Sequence, residues 1–138
     1  MIDGETYYFN GDSVMATGWV SFDSAWHWMN PSGRMAKGWT KVGGAWYYLD
    51  PETGAMATGW TNVGGAWYYL TSNGAMATGW TNVGGTWYYL TSSGAMATGW
   101  VNDGGTWYYL NASGKMVTGW TVIDGTWQHF DRSGAWLG

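Results

Sequence analysis

Tryptophan and tyrosine are the residues through which this chain can act on a ligand. It has 14 Trp and 10 Tyr in 138 residues, while only 10% of its residues are charged. Twelve of the tryptophans fall in pairs seven residues apart: Trp19 and Trp26, Trp39 and Trp46, Trp60 and Trp67, Trp80 and Trp87, Trp100 and Trp107, Trp120 and Trp127. With so few charges, ion pairing is not the means of recognition. The attraction on offer is the electron-rich ring face, which binds organic cations. One ring over a desolvated cation contributes ~2 kcal/mol or more. A few rings around a quaternary ammonium make a weak-to-moderate site, and a repeated set gains by multivalency. Sugar stacking also uses exposed Trp and Tyr, but wants Asp, Asn, Gln or Arg beside the ring, and this chain offers those sparsely.

Other chemistries lack their residues. The absence of cysteine removes disulfides and thiolate metal sites. Five scattered basic residues make no phosphate-binding stripe, so no nucleic-acid partner is expected. No apolar run is long enough to insert into a membrane, and Met1 to Gly11 has neither the basic start nor the apolar stretch of a signal peptide. His27 and His129 are too isolated to share a metal, and no nucleophile, base and orienting group converge. Asp3, Glu5, Asp12 and Asp23 form a loose acidic end, read as solvated surface. The expectation is a non-enzymatic chain without a cofactor.

An internal repeat positions the aromatic residues. Gly-Trp recurs with Trp at 19, 39, 60, 80, 100 and 120, in steps of 20, 21, 20, 20 and 20. The extra residue lies in Asp50-Pro51-Glu52-Thr53-Gly54, a turn. In each unit a β-prone run, Trp60 to Val63, is followed by Gly64-Gly65 and then Ala66 to Leu70. A two-residue Gly-Gly loop predicts a type I′ or II′ hairpin. That register opposes Val63 to Ala66, Asn62 to Trp67, Thr61 to Tyr68 and Trp60 to Tyr69. Alternation then places Trp60, Asn62, Trp67 and Tyr69 on one face and Thr61, Val63, Ala66, Tyr68 and Leu70 on the other.

A lone hairpin is marginal, whereas stacked hairpins bury a shared face. The predicted fold is therefore all-β: a repeat solenoid of about six stacked β-hairpins, with Leu70, Tyr68 and the equivalent Tyr47, Tyr88 and Tyr108 packed inward. Residues 1–138 form a single array, with a partial first repeat over 1–18. Gly74 is expected at positive φ, and the glycines before Trp are expected to allow close strand approach. The recurrent Met either fills a gap or walls a ligand site.

The repeat GxMxTGWxxxGGxWYYL resembles the choline-binding repeat of cell-wall-binding modules in Gram-positive and phage autolysins and surface proteins, from Tyr7 to about Trp136. The resemblance implies a left-handed superhelix of hairpins. It also implies a secreted, cell-surface module, usually fused to another domain. Such a module binds choline on teichoic or lipoteichoic acid between successive hairpins. Two Trp of one repeat, a Tyr of the next and often a Met form each cage. Carried onto this chain, the cages are Trp19, Trp26, Tyr48 and Met56; Trp39, Trp46, Tyr69 and Met76; Trp60, Trp67, Tyr89 and Met96; and Trp80, Trp87, Tyr109 and Met116.

A fifth cage pairs Trp100 and Trp107 with His129, where a protonated imidazole would repel a cation, and Trp136 stands at its Met position. Trp120 and Trp127 have no following hairpin. At the other end Trp28 replaces a Tyr, and Tyr7, Tyr8 and Phe9 match YYL as half of a truncated hairpin, as expected for the C-terminal part of a longer protein. A homodimer through the terminal hairpins is compatible with the sequence. The alternative function is a glucan- or oligosaccharide-binding repeat module.

Overall fold

The computed structural model describes residues 16–138. Tyr7, Tyr8, Phe9 and the acidic residues Asp3, Glu5 and Asp12 lie outside the described residues. Twelve short strands form six two-stranded antiparallel sheets. They are β1 (Gly18–Phe22) with β2 (Ala25–Met29), β3 (Gly38–Val42) with β4 (Ala45–Leu49), and β5 (Gly59–Val63) with β6 (Ala66–Leu70). Then follow β7 (Gly79–Val83) with β8 (Thr86–Leu90), β9 (Gly99–Asp103) with β10 (Thr106–Leu110), and β11 (Gly119–Ile123) with β12 (Thr126–Phe130). No helix occurs among the described residues, so none there is long and apolar enough to cross a membrane. This is the all-β array of stacked hairpins that the 20-residue period predicts.

The register is the expected one. Trp39 opposes Tyr48, Thr40 opposes Tyr47, Lys41 opposes Trp46 and Val42 opposes Ala45. The turn glycines explain it: Gly43 and Gly44 have φ of 58° and 86°, the doubly left-handed geometry of a type I′ turn, whose twist matches that of the strands. Asp23-Ser24 makes the same turn without glycine, at φ of 52° and 63°.

The residues form two compact units. One holds the described residues up to Thr61 together with Leu70–Met76; the other holds Asn62–Tyr69 and Ala77–Gly138. Each unit has the same internal connection between neighbouring hairpins. After each hairpin the chain makes a tight turn and runs extended through the recurrent Met. In the first unit Met56 N–H donates to Trp26 C=O at 2.8 Å, one hairpin back, while Ala57 N–H donates to Tyr48 C=O of its own hairpin at 2.8 Å. Met76 repeats this toward Trp46 at 2.8 Å. In the second unit Met96 donates to Trp67, Met116 to Trp87 and Trp136 to Trp107. The Met-Ala step is thus a third, very short strand shared by two hairpins.

The core is thinner than expected. Met29, Leu49, Leu70, Leu90, Leu110 and Phe130, the last residue of each hairpin, are essentially fully buried. Tyr47, Tyr68, Tyr88 and Tyr108, expected as core or stacking residues, are half-buried; Tyr47 and Tyr108 pack edge-on to Trp19 and Trp80 rather than join the fully buried side chains. The glycines before Trp are also corrected. A Cβ on Gly38, Gly79, Gly99 or Gly119 would meet nothing within 4 Å; what they supply is a positive φ, 73° at Gly119. Close approach occurs instead at the inter-hairpin turns. Gly114 also has positive φ, 86°, and a Cβ there would run into Met96, 2.9 Å from both Cγ and Cε. Gly54, Gly74 and Gly134 press on Met35, Met56 and Met116 in the same way.

Those turns start on a side-chain acceptor. Asp131 accepts hydrogen bonds from Ser133 N–H (2.8 Å), Ser133 Oγ (2.6 Å) and Ala135 N–H (3.0 Å). These bonds hold its carboxyl below the ordinary value of 3.8, the Ser133 hydroxyl contributing most and the Ala135 amide next. Asn111 makes the same set with Ser113 and Lys115.

Two outcomes follow. Gly119→Ala costs about 1–2 kcal/mol for the left-handed backbone alone. Gly114→Ala adds about 1 kcal/mol or more because Met96 must move. Denaturant titration should order them so, and equal losses would contradict the Gly–Met packing. For Asp131 the depressed pKa means its stabilisation is present above the ordinary carboxylate value and fades as pH falls through the lowered one. Asp131→Asn keeps the geometry seen at Asn111. Its Tm deficit should therefore be present at pH 6 and shrink at the acid end, and a deficit constant with pH would contradict this.

Candidate functional site

The first cage is built from two hairpins. β1 and β2 present Trp19 and Trp26 on one face; β4 supplies Tyr47, and the segment after it supplies Met56. Tyr47 stands edge-on to Trp19, with ring centroids 5.0 Å apart and planes at 69°. With Ser72 and Asn73 these residues line a cavity of about 280 Å³. The hydrogen bond from Met56 to Trp26 C=O fixes the Met wall against the second Trp.

The tyrosine differs from the expected one. Tyr48 lies across the sheet from Trp39 of its own hairpin, at 5.0 Å. The second unit repeats the pattern: Tyr108, not Tyr109, meets Trp80 at 4.8 Å, and Tyr109 packs on Trp100 at 5.2 Å. Tyr89 likewise lies on Trp80 of its own hairpin, at 5.0 Å, and Tyr69 holds the same position in β6. The reason is alternation. Tyr47 shares a face with buried Leu49, the face turned to the preceding hairpin, whereas Tyr48 shares a face with its own Trp39 and Trp46. A ring that meets the preceding repeat must come from the inner face, so the middle Tyr stands where the last one was expected.

In the second unit Trp80, Trp87, Tyr108 and Met116 repeat these contacts, with Tyr108 4.8 Å from Trp80 and Met116 N–H on Trp87 C=O at 2.9 Å. Trp39, Trp46 and Met76 lie in the first unit, and Trp67 and Met96 in the second.

The last cage departs from the rest. Trp100, Trp107 and Trp136 line a cavity of about 350 Å³. Trp136 takes the Met position, as expected, 5.6 Å from Trp100. Gln128 takes the Tyr position and accepts a hydrogen bond from Trp136 Nε1 at 3.0 Å, holding the indole in place. His129 is not in this cage. It stacks flat on Trp120 of its own hairpin, with centroids 4.2 Å apart and planes 5° from parallel. The expected repulsion of a cation by protonated His129 therefore has no basis there. Trp120 and Trp127 are each 63% exposed, against 43% for Trp107, as their lack of a following hairpin predicts. Trp28 packs edge-on to Trp19 at 5.2 Å, and buried His27 stacks on Phe22 at 3.7 Å. Among the described residues no three His, Cys, Asp or Glu could hold a metal.

Ser72 and Asn73 were not foreseen as lining residues, nor Gln128 as the partner of Trp136. The first two sit in a turn two repeats on. Gln128 was legible as the residue aligned with Tyr47, once the middle position is known to matter. Each cage presents ring faces and a thioether or third indole to an open pocket, an arrangement suited to holding a desolvated organic cation.

The sequence profile of the choline-binding repeat matches residues 16–58, 57–98 and 97–137. Among solved structures, CbpJ of Streptococcus pneumoniae TIGR4 is 46% identical with a TM-score of 0.94, over 99% of this chain and 51% of that one. Choline-binding protein F of S. pneumoniae, solved with a peptidoglycan analogue, is 46% identical with a TM-score of 0.94, over 99% and 50%. A pneumococcal cell-wall endolysin from phage Cp-1, complexed with choline, is 39% identical with a TM-score of 0.61, over 88% and 37%. The chain thus spans about half the length of the first two. No curated protein sequence matches it.

The two tyrosine positions are separable by experiment. Tyr47→Ala should abolish the response of the first cage to tetramethylammonium, followed by Trp indole NMR, while Tyr48→Ala should leave it within about twofold. The reverse result would return the wall to Tyr48.

Proposed function

Because the chain belongs to the choline-binding repeat family, we propose that it is a non-catalytic module anchoring a larger protein to choline on cell-wall teichoic or lipoteichoic acid. The observation that carries this is the Trp19, Trp26, Tyr47 and Met56 cage, with its counterpart around Trp80 and Trp87. The ligand is the trimethylammonium group. It sits against ring faces and a polarisable sulfur, with its hydroxyethyl end left toward the open side, where a polymer would continue. No cofactor takes part, and residues 1–138 act as one array on the cell surface.

Two or three rings at ~2 kcal/mol each offer about 4–6 kcal/mol in all, so once part of that is lost to association a single site is no tighter than about millimolar. A polymer carrying many cholines gains by engaging several cages at once. The glucan alternative has less support, because the described cages have few polar side chains beside the rings, Ser72, Asn73 and Gln128 apart.

Calorimetry with free choline, choline-bearing teichoic acid and dextran tests the proposal. The expected result is saturable binding of choline at about millimolar, much tighter retention on the polymer, and none on dextran. No response to tens of millimolar choline, well above that estimate, or retention on dextran alone, would sink it.

A further inference from the structure

One repeat breaks the pattern at the residue before the hairpin turn. Val42, Val63 and Val83 stand there in the second, third and fourth hairpins and Ile123 in the sixth, but the fifth has Asp103. Asp103 ends β9 and is half-buried. Its Oδ2 accepts a hydrogen bond from Nε1 of Trp80, in the preceding hairpin, at 2.9 Å. Trp80 is a wall of the Trp80, Trp87, Tyr108 and Met116 cage, and its ring lies 4.8 Å from Tyr108. In the first cage the equivalent neighbour of Trp19 is Val42, which brings no charge.

An indole is positive at its edge and negative on its face. A carboxylate on the edge N–H draws the proton outward and leaves the face richer in electrons for a cation. The bond is charge-assisted, so it also holds the indole in one orientation. The carboxylate adds a full negative charge about one indole width from the pocket, an attraction that salt screens. A neutral ligand of the same shape gains from the fixed orientation but little from the richer face or the added charge. Lys115, next to Met116 in the chain, is exposed and thus strongly screened.

We propose that Asp103 is an affinity- and selectivity-determining residue, which makes the Trp80–Trp87–Tyr108–Met116 cage bind quaternary ammonium more tightly, and with more preference for charge, than the Trp19–Trp26–Tyr47–Met56 cage. This rests on the cage reading given under Proposed function.

The test is a site-resolved titration, following Trp indole N–H signals in the full chain, with choline and with 3,3-dimethylbutan-1-ol, its uncharged carbon isostere. Asp103→Asn keeps shape and an acceptor for Trp80. Asp103→Val installs the residue that three other repeats carry. At low ionic strength both variants should weaken choline at the Trp80 cage about three- to tenfold. Both should leave the Trp19 cage unchanged, Asp103→Asn, which keeps the acceptor, should leave the neutral isostere unchanged, and the difference should close as salt is raised. Equal weakening of choline and isostere would reduce Asp103 to a packing role and overturn the proposal, as would unchanged choline affinity in a chain that still binds it. Failure of wild type to bind choline at any cage would instead overturn the cage reading itself.

Discussion

The hydrogen bond from Met56, Met76, Met96 or Met116 N–H to the second Trp carbonyl of the preceding hairpin is the contact on which the rest depends. A hairpin of this kind buries one side chain completely, such as Leu49 or Leu110. That is about 1.5–3 kcal/mol, against about 1–2 kcal/mol of backbone entropy for every residue ordered. No single unit can stand alone on such terms. The Met-Ala step resolves this by giving one amide to the hairpin before and the next to its own, as with Met56 and Ala57. Stability then lies in the coupling between repeats.

The same contact shapes the candidate cages. It ties the Met backbone to that of Trp26, Trp67 or Trp87, and Met56 and Trp26 then line one cavity. It also draws the inner face of the next hairpin, with Tyr47 or Tyr108, against the first Trp. The turn glycines complete the arrangement, since Gly54, Gly74, Gly114 and Gly134 leave room for the Met side chain that a Cβ would take. Each cage is therefore a by-product of stacking, and a site exists only where two hairpins meet. Trp120 and Trp127 are the most exposed of the tryptophans.

The period, the hairpin register, the turn type and the buried Leu were legible because each follows from local rules: Gly-Gly loops, alternation along strands and repetition. The pairing of Trp39 with Tyr48 was foreseen residue by residue. What failed was non-local. Assigning Tyr48 and Tyr109 to cages took the right face for the hairpin's own aromatic residues but the wrong one for a contact with its neighbour. His129 followed that error into the last cage, where Gln128 stands instead. The glycines before Trp were read as spacers because sequence does not distinguish lack of room from left-handed backbone. The hydrogen bond between Trp80 and Asp103 spans 23 residues and two hairpins, so no local rule announces it.

The central claim is that ligand cages form between hairpins from two Trp of one repeat and the inner-face residue and Met of the next. A crystal structure of the chain soaked with choline tests it most directly. The account places trimethylammonium density among Trp19, Trp26, Tyr47 and Met56, among Trp80, Trp87, Tyr108 and Met116, and among Trp100, Trp107 and Trp136, with Tyr48, Tyr109 and His129 outside contact. Choline held by Tyr48, Tyr109 or His129, or found only on the exposed Trp120 and Trp127, would contradict it.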